Sequence, residues 1–320
     1  MAASAMTSSL QPLSPDHCLV SVVIPTYARP RLLHDCLAAL AEQTLAREAF
    51  EVVVVYDGSP AGLGALAADF AGRLHLRVIR QANAGPGAAR NRGVAEASGA
   101  LIAFTDDDCQ PAPAWLETLL AGERSRPGAL VGGSTRNGLS DRLFSEASQW
   151  IVEMVYEHFN RDPDNAYFFA SNNILCSRER YIKIGGFDER FRRAGAEDRD
   201  FCDRWRAAGW PLIWRPAASI DHFHPQSLAS FLGLHYRYGR GAWIYHARRR
   251  LRATGTMHED MGFHATLPRA ILRGLARYPG AWRRLQYCAA LLLWQLANAA
   301  GFVSESLASR AGLPRRAVEG

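Results

Sequence analysis

The sequence predicts an α/β fold with a mostly parallel sheet covered on both faces by helices. Two observations carry this. Short apolar runs alternate with segments of helical periodicity through the first half of the chain, which is the pattern of strands joined by crossover helices. Carboxylates then recur where the apolar runs stop, at Asp57 and at Asp106, Asp107 and Asp108. Ligands of such sheets bind outside the carboxyl ends of the strands, so these acids are expected on one rim.

The elements follow in order. "CLVSVVIP" is a short apolar run closed by Pro25 and reads as a buried strand. In "RLLHDCLAALAEQ", Leu32, Leu33, Cys36, Leu37 and Leu40 recur at helical spacing. "FEVVVVYDGS" is a β-branched strand that stops at Asp57-Gly58; "LGALAADFAGR" is helical and "LHLRVIR" a strand. "PGAARNRGVAEASG" starts a helix on Pro86 and ends it at Gly99. "ALIAFT" is a strand and "PAWLETLLAG" a helix. Beyond Arg136 the regularity weakens. "DRLFSEASQWIVEMVYEHF" is helical, and "AYFFASNNILCSRERYIKIGGFD" has a strand-like core before a turn at Gly185-Gly186. "EDRDFCDRWRAAGW" is an amphipathic helix with Phe201, Trp205 and Ala208 inward, and "PLIWRPAASIDHFHP" is extended. From Gln226 the chain reads as helices rich in arginine and aromatics. The expected organisation is a tail at 1–17, a main domain at 18–225 and a basic helical extension at 226–320.

Of the 320 residues, 48% are hydrophobic and 21% charged, an ordinary globular composition. The N-terminal segment lacks a basic start and an apolar core, so it does not read as a signal peptide. The six cysteines are scattered without a CxxC pair, which suits reduced thiols and a cytoplasmic location. The net charge is +6, and Lys183 is the single lysine. Arginines cluster at 248–252, 283–284 and 315–316; such patches meet nucleic acid, anionic membrane or phosphorylated ligands, or form a solvated helical face. Between Arg284 and Glu305 no residue is charged. That stretch is long enough to span a bilayer, but Gln286, Gln295 and Asn298 make it a poor span. Lying at the interface, or packing in a core, are the competing expectations.

Three adjacent carboxylates repel one another unless a positive charge sits among them. Alternate residues of an extended segment project the same way, so Asp106 and Asp108 can converge on a hard cation such as Mg²⁺ or Mn²⁺. A solvated acidic turn is the competing reading. "GPGAAR" mimics part of a dinucleotide fingerprint, but Arg90 stands where the third glycine would be.

"VSVVIPTYAR", "VVVVYDGS", "NAGPGAARNRGVAEASGALIAFTDDDC" and "GAEDRDFCDRW" occur in that order. Over about Ser21 to His224 the chain resembles the family 2 glycosyltransferases, inverting enzymes of GT-A fold that use nucleoside-diphosphate sugars. The resemblance implies a Rossmann-like GT-A domain and a DxD motif in which Asp106 and Asp108 hold Mn²⁺ or Mg²⁺ on the donor diphosphate. It places Pro25, Thr26, Tyr27 and Asp57 at the nucleobase and ribose, where Tyr56 departs from the acidic pair many members carry. Asn83, Arg90 and Asp107 fall on the donor side. Asp198 takes the place of the catalytic base, with Glu197 as the alternative, and His222 that of a further metal ligand, with His224 as its alternative. The partners implied are a donor, most often UDP-linked, and a glycan or lipid-linked acceptor, with no nucleic acid. The acceptor pocket is expected from 134–173 and the chain after Pro225, with Trp150, Tyr156, Tyr167, Phe168 and Trp243 as candidate stacking rings. The basic end suggests contact with the inner face of the membrane. Two other readings compete: a nucleotide-sugar-binding protein without turnover, and a nucleotidyltransferase, which the "PTYARPR" after the first strand supports poorly.

Overall fold

The computed structural model describes residues 18–58, 64–191 and 195–310; the expected tail at 1–17 and the arginines at 315–316 lie outside them. Strands β1 (Val20–Thr26), β2 (Phe50–Asp57), β3 (Leu76–Gln81) and β4 (Leu101–Phe104) alternate with helices α1 (Pro30–Ala41), α2 (Gly64–Asp69) and α3 (Pro86–Glu96). They pair in parallel in the order β3-β2-β1-β4. This is the arrangement the alternation requires, because parallel neighbours need a crossover between them.

Past β4 the sheet becomes mixed. The strands β5 (Cys109–Pro111), β6 (Leu130–Asn137), β7 (Ile174–Ser177) and β8 (Leu212–His222) complete one eight-stranded sheet, β3-β2-β1-β4-β7-β6-β8-β5. The β4–β7, β6–β7 and β5–β8 pairs are antiparallel, while β6 and β8 pair in parallel, so parallel pairs remain the majority, as expected, in a sheet that is mixed in its second half. The helices of this half are α4 (Trp115–Ser125), α5 (Leu143–Phe159), α6 (Arg178–Lys183) and α7 (Glu197–Ala207), followed by α8 (Leu228–Arg252), α9 (Met257–Leu275) and α10 (Ala281–Arg310).

Strand alternation divides the core. Val20, Val22 and Ile24 of β1 pack with Leu33 and Leu37 of α1 and Trp115 and Leu119 of α4. The intervening Val23 joins Ala89 and Val94 of α3 and Phe201 and Trp205 of α7 on the other face. A third core is formed by Trp150, Ile151 and Met154 of α5 with Phe231 of α8, Phe263 of α9 and Tyr287 and Trp294 of α10. The C-terminal helices are therefore packed into the molecule. Trp150 and Tyr156 are buried in these cores, and the Trp243 indole donates to Ser309 Oγ at 3.1 Å, so these three rings take part in packing elements together.

Candidate active site

The carboxyl ends of β1, β2 and β4 bring Thr26, Asp57 and the aspartate triplet to one rim, as the sequence predicts. Two arginines engage the triplet. Arg29, just past β1, donates to Asp108 Oδ2 at 2.8 Å and to Asp107 Oδ1 at 3.2 Å. Arg90, buried on α3, donates to Asp106 Oδ1 at 2.6 Å. Thr26 Oγ1 donates to Asp107 Oδ2 at 2.6 Å. Burial, and then the charge of Asp108, push Asp107 up to about 7 despite Arg29 and Thr26.

The antiparallel β5–β8 pair sets Cys109 opposite His222, so the end of β8 arrives beside the triplet. His222 Nε2 lies 3.3 Å from Asp108 Oδ1, and His224 Nδ1 lies 3.4 Å from Asp108 Oδ2. The two imidazoles are stacked, with centroids 5.4 Å apart. Ligand atoms of Asp108, His222 and His224 all fall within 4.8 Å of one another. Burial works against charge on Asp108, but hydrogen bonds from both histidines, with the charges of His222 and Arg29, hold it well below the usual carboxylate range. The same contact raises His222, against the effect of its own burial. One carboxylate and two imidazoles fit a divalent transition ion with positions left open. The structure thus joins both histidines to Asp108, where the sequence reading held them as alternatives. Asp106 stands apart from this donor set, engaged by Arg90.

Asp57 is buried and its oxygens are occupied. Gln81 Nε2 and the Ala84 amide donate to Oδ1, and the Gly85 amide to Oδ2, each at 2.8 Å. Its visible work is to hold the loop that carries Asn83 into α3. Asn83 is exposed on that loop, packed against Gly58. Pro25 is buried within β1, and Tyr27 projects from the rim, 53% exposed.

Glu197 and Asp198 open α7 behind a left-handed Ala196. Glu197 is buried; it accepts the Gly195 amide at 2.6 Å and faces Arg90 Nη1 at 3.9 Å. Burial raises it, against the Arg90 charge. Asp198 is partly exposed, and among the described residues its carboxylate accepts one hydrogen bond, from the Arg199 amide at 2.8 Å. Loss of solvent, and then the Glu197 charge, lift it to about 7. Arg90 links the triplet to this helix, and its Nε and Nη1 have no hydrogen-bond partner. Along α7, a cavity of about 460 Å³ is lined by Arg199, Arg206, Phe159, Tyr167, Phe168 and Tyr245, among others.

The chain is similar to known proteins in family and fold. A model of "Glycosyl transferase family 2" matches residues 21–185, and one described as "N-terminal domain of galactosyltransferase" matches 152–225. The validoxylamine A glucosyltransferase of Streptomyces hygroscopicus subsp. jinggangensis is 30% identical over 67% of this chain and 58% of that protein. A glucosyl-dolichyl phosphate glucuronosyltransferase of Haloferax volcanii is 28% identical over 63% of this chain and 68% of that protein. The chain thus spans little more than half the length of the first of these relatives. Among solved structures, a mannosyltransferase of Pyrobaculum calidifontis in complex with GDP-Man and Mn²⁺ shares the fold with a TM-score of 0.60 at 20% identity, covering 94% of this chain and 82% of that one. S. aureus TarS in complex with UDP-GlcNAc does so at 0.53 and 16% identity, covering 93% of each chain. With the family model matched across β1 to α6, the chain belongs to glycosyl transferase family 2.

Proposed function

We propose that the protein moves a sugar from a nucleoside-diphosphate sugar to an acceptor hydroxyl in a single displacement that inverts the anomeric carbon. The carrying observation is the separation of two chemistries at one rim: a cation-binding trio at Asp108, and Asp198, a partly exposed carboxylate with no arginine in ion-pair contact among the described residues. The acceptor oxygen attacks C1 as its proton passes to Asp198; the bond from C1 to the diphosphate oxygen breaks and the nucleoside diphosphate departs. A carboxylate lifted to about 7 is matched to a proton acceptor at neutral pH. Glu197, tied to Gly195 and facing Arg90, orients the start of α7.

A divalent cation held by Asp108, His222 and His224 would neutralise charge growing on the leaving diphosphate. Two imidazoles in the donor set favour Mn²⁺ over Mg²⁺. Arg90, held by Asp106, takes the diphosphate side, while Thr26 and Arg29 fix Asp107 and Asp108. Tyr27, exposed at the rim, offers a face to the nucleobase. TarS is seen with UDP-GlcNAc and the archaeal mannosyltransferase with GDP-Man; UDP is the nucleotide assigned first here. The cavity along α7 is assigned to the acceptor, a glycan or a lipid-linked saccharide, with Tyr167 and Phe168 as stacking rings. The reaction is assigned to the cytoplasm.

Thermal unfolding against UDP, GDP, dTDP and their sugars, with and without Mn²⁺, tests the donor site. A ligand at about 100 times its dissociation constant adds about 2.7 kcal/mol. The expected result is a Mn²⁺-dependent shift with one nucleotide, lost in His222→Ala and in His224→Ala. A nucleotide shift indifferent to Mn²⁺ and to both substitutions would remove the cation from the mechanism.

A further inference from the structure

We infer that the outward face of α10, continued by α9, is a docking surface for an anionic bilayer on which α10 lies flat. This goes beyond the transfer reaction and does not depend on it.

The first observation is an unpartnered apolar row. Trp282, Leu285, Leu292, Leu296, Val303 and Leu307 of α10 are each 54–70% exposed. At about 100° per residue they fall within an arc of about 80° and run for about 38 Å. Ala289 and Ala299 fill the same exposed row. On α9, Met257, Met261 and Leu272 form a second exposed row.

The second observation is charge. From 261 to 304 the chain has no aspartate or glutamate, while Arg269, Arg273, Arg277, Arg283 and Arg284 all fall inside it. Arg277 pairs with Glu153, but Arg269, Arg273 and Arg283 have no ion-pair partner among the described residues. Trp282 and Tyr278 stand beside the arginines at the turn between the helices, a composition suited to the headgroup level. Each exposed arginine near an anionic leaflet adds to the attraction.

The packing decides how the helix meets the bilayer. α10 is apolar and long enough to cross a membrane, yet its inner side is committed to protein. Tyr287, Ala290, Leu291 and Trp294 are buried against the third core. Gly301 is pressed on the Tyr236 carbonyl and Gly239 on that of Asn298. Glu305 is buried with Arg240 at 2.7 Å. Crossing the bilayer would dismantle all of this and strip a buried ion pair; lying in the interface costs none of it. A second copy of the chain is a poorer occupant, because a symmetric contact would set arginines against arginines with no carboxylate in the segment.

The test is co-sedimentation of the full chain with phosphatidylcholine vesicles, alone and mixed with phosphatidylglycerol, without donor. The expected result is binding to the mixed vesicles that weakens with salt, and little to the neutral ones. Leu292→Gln with Leu296→Gln, and separately Arg273→Gln with Arg283→Gln, should each weaken it about tenfold or more at an unchanged melting temperature. Folded wild-type protein left in the supernatant with anionic vesicles would overturn the proposal. So would a dimer by light scattering that the leucine substitutions dissolve while vesicle binding is absent. The nucleotide-induced thermal shift on the same sample keeps failure of the donor reading distinct from failure of this one.

Discussion

Asp198 and Glu197 are adjacent carboxylates with different work. Glu197 is enclosed and bonded to the Gly195 amide, whereas Asp198 keeps a partly open surface. Because burial and the neighbouring charge lift Asp198 to about 7, its acid form persists to neutral pH and its basic form dominates above. The rate constant kcat/KM is therefore expected to rise with pH through about 7 and then level. Asp198→Asn should lower kcat by about 10²–10⁴-fold and abolish that limb, with donor affinity nearly unchanged in a titration. A collapse of donor affinity instead would make Asp198 a binding residue. Much of this site is legible in the sequence. The triplet stops an apolar run, and "HFH" puts two imidazoles on one side of an extended strand. Arg29 is not legible as a partner of Asp108, because 79 positions separate them and only the parallel pairing of β1 with β4 brings them together. The occupied state of Asp57 is hidden for a similar reason: its partners Gln81, Ala84 and Gly85 come from the next crossover.

At the scale of elements, apolar runs with β-branched residues announce β1, β2 and β4, since buried parallel strands need little else. β6 is silent because Gly132 and Gly133 dilute it. Those glycines are required by neighbours: a side chain at 132 would meet the Phe169 ring, and one at 133 the Ala218 carbonyl. Between helices the same logic sets α8 against α10 through Gly239 and Gly301. Gly301→Val is expected to destabilise the fold by about 1–3 kcal/mol in denaturant unfolding, because the backbone it faces cannot yield. Gly262 on α9 has open space around it, so Gly262→Ala should add about 0.5–1 kcal/mol by the gain in helix propensity. Equal effects of the two substitutions would mean that the close crossing carries no energy.

At the scale of the whole molecule, the C-terminal helices hold α7, the helix that carries Asp198. Arg252 of α8 bonds Asp200 at 2.8 Å and Asp203 at 3.0 Å, and Arg249 reaches Asp203 at 3.0 Å, both carboxylates on α7. Arg199, next to Asp198, pairs with Asp260 of α9 at 3.3 Å. The boundary expected at 225 marks a change of composition, but the third core joins residues on both sides of it. A chain ending at Pro225 is expected to expose Trp150, Ile151 and Met154, to leave Asp203 buried without Arg249 and Arg252, and to leave Asp200 with Arg204 but not Arg252. Recovery of that fragment as a soluble monomer with unaltered melting would contradict this account. One detail of α10 has a practical side. Five cysteines are buried, and Cys288 is exposed beside the outward row of leucines. The protein therefore carries its own attachment point for a thiol-reactive dye. A polarity-sensitive fluorophore placed there would report on the immediate surroundings of α10 in the unaltered sequence, with no competing thiol at the surface among the described residues.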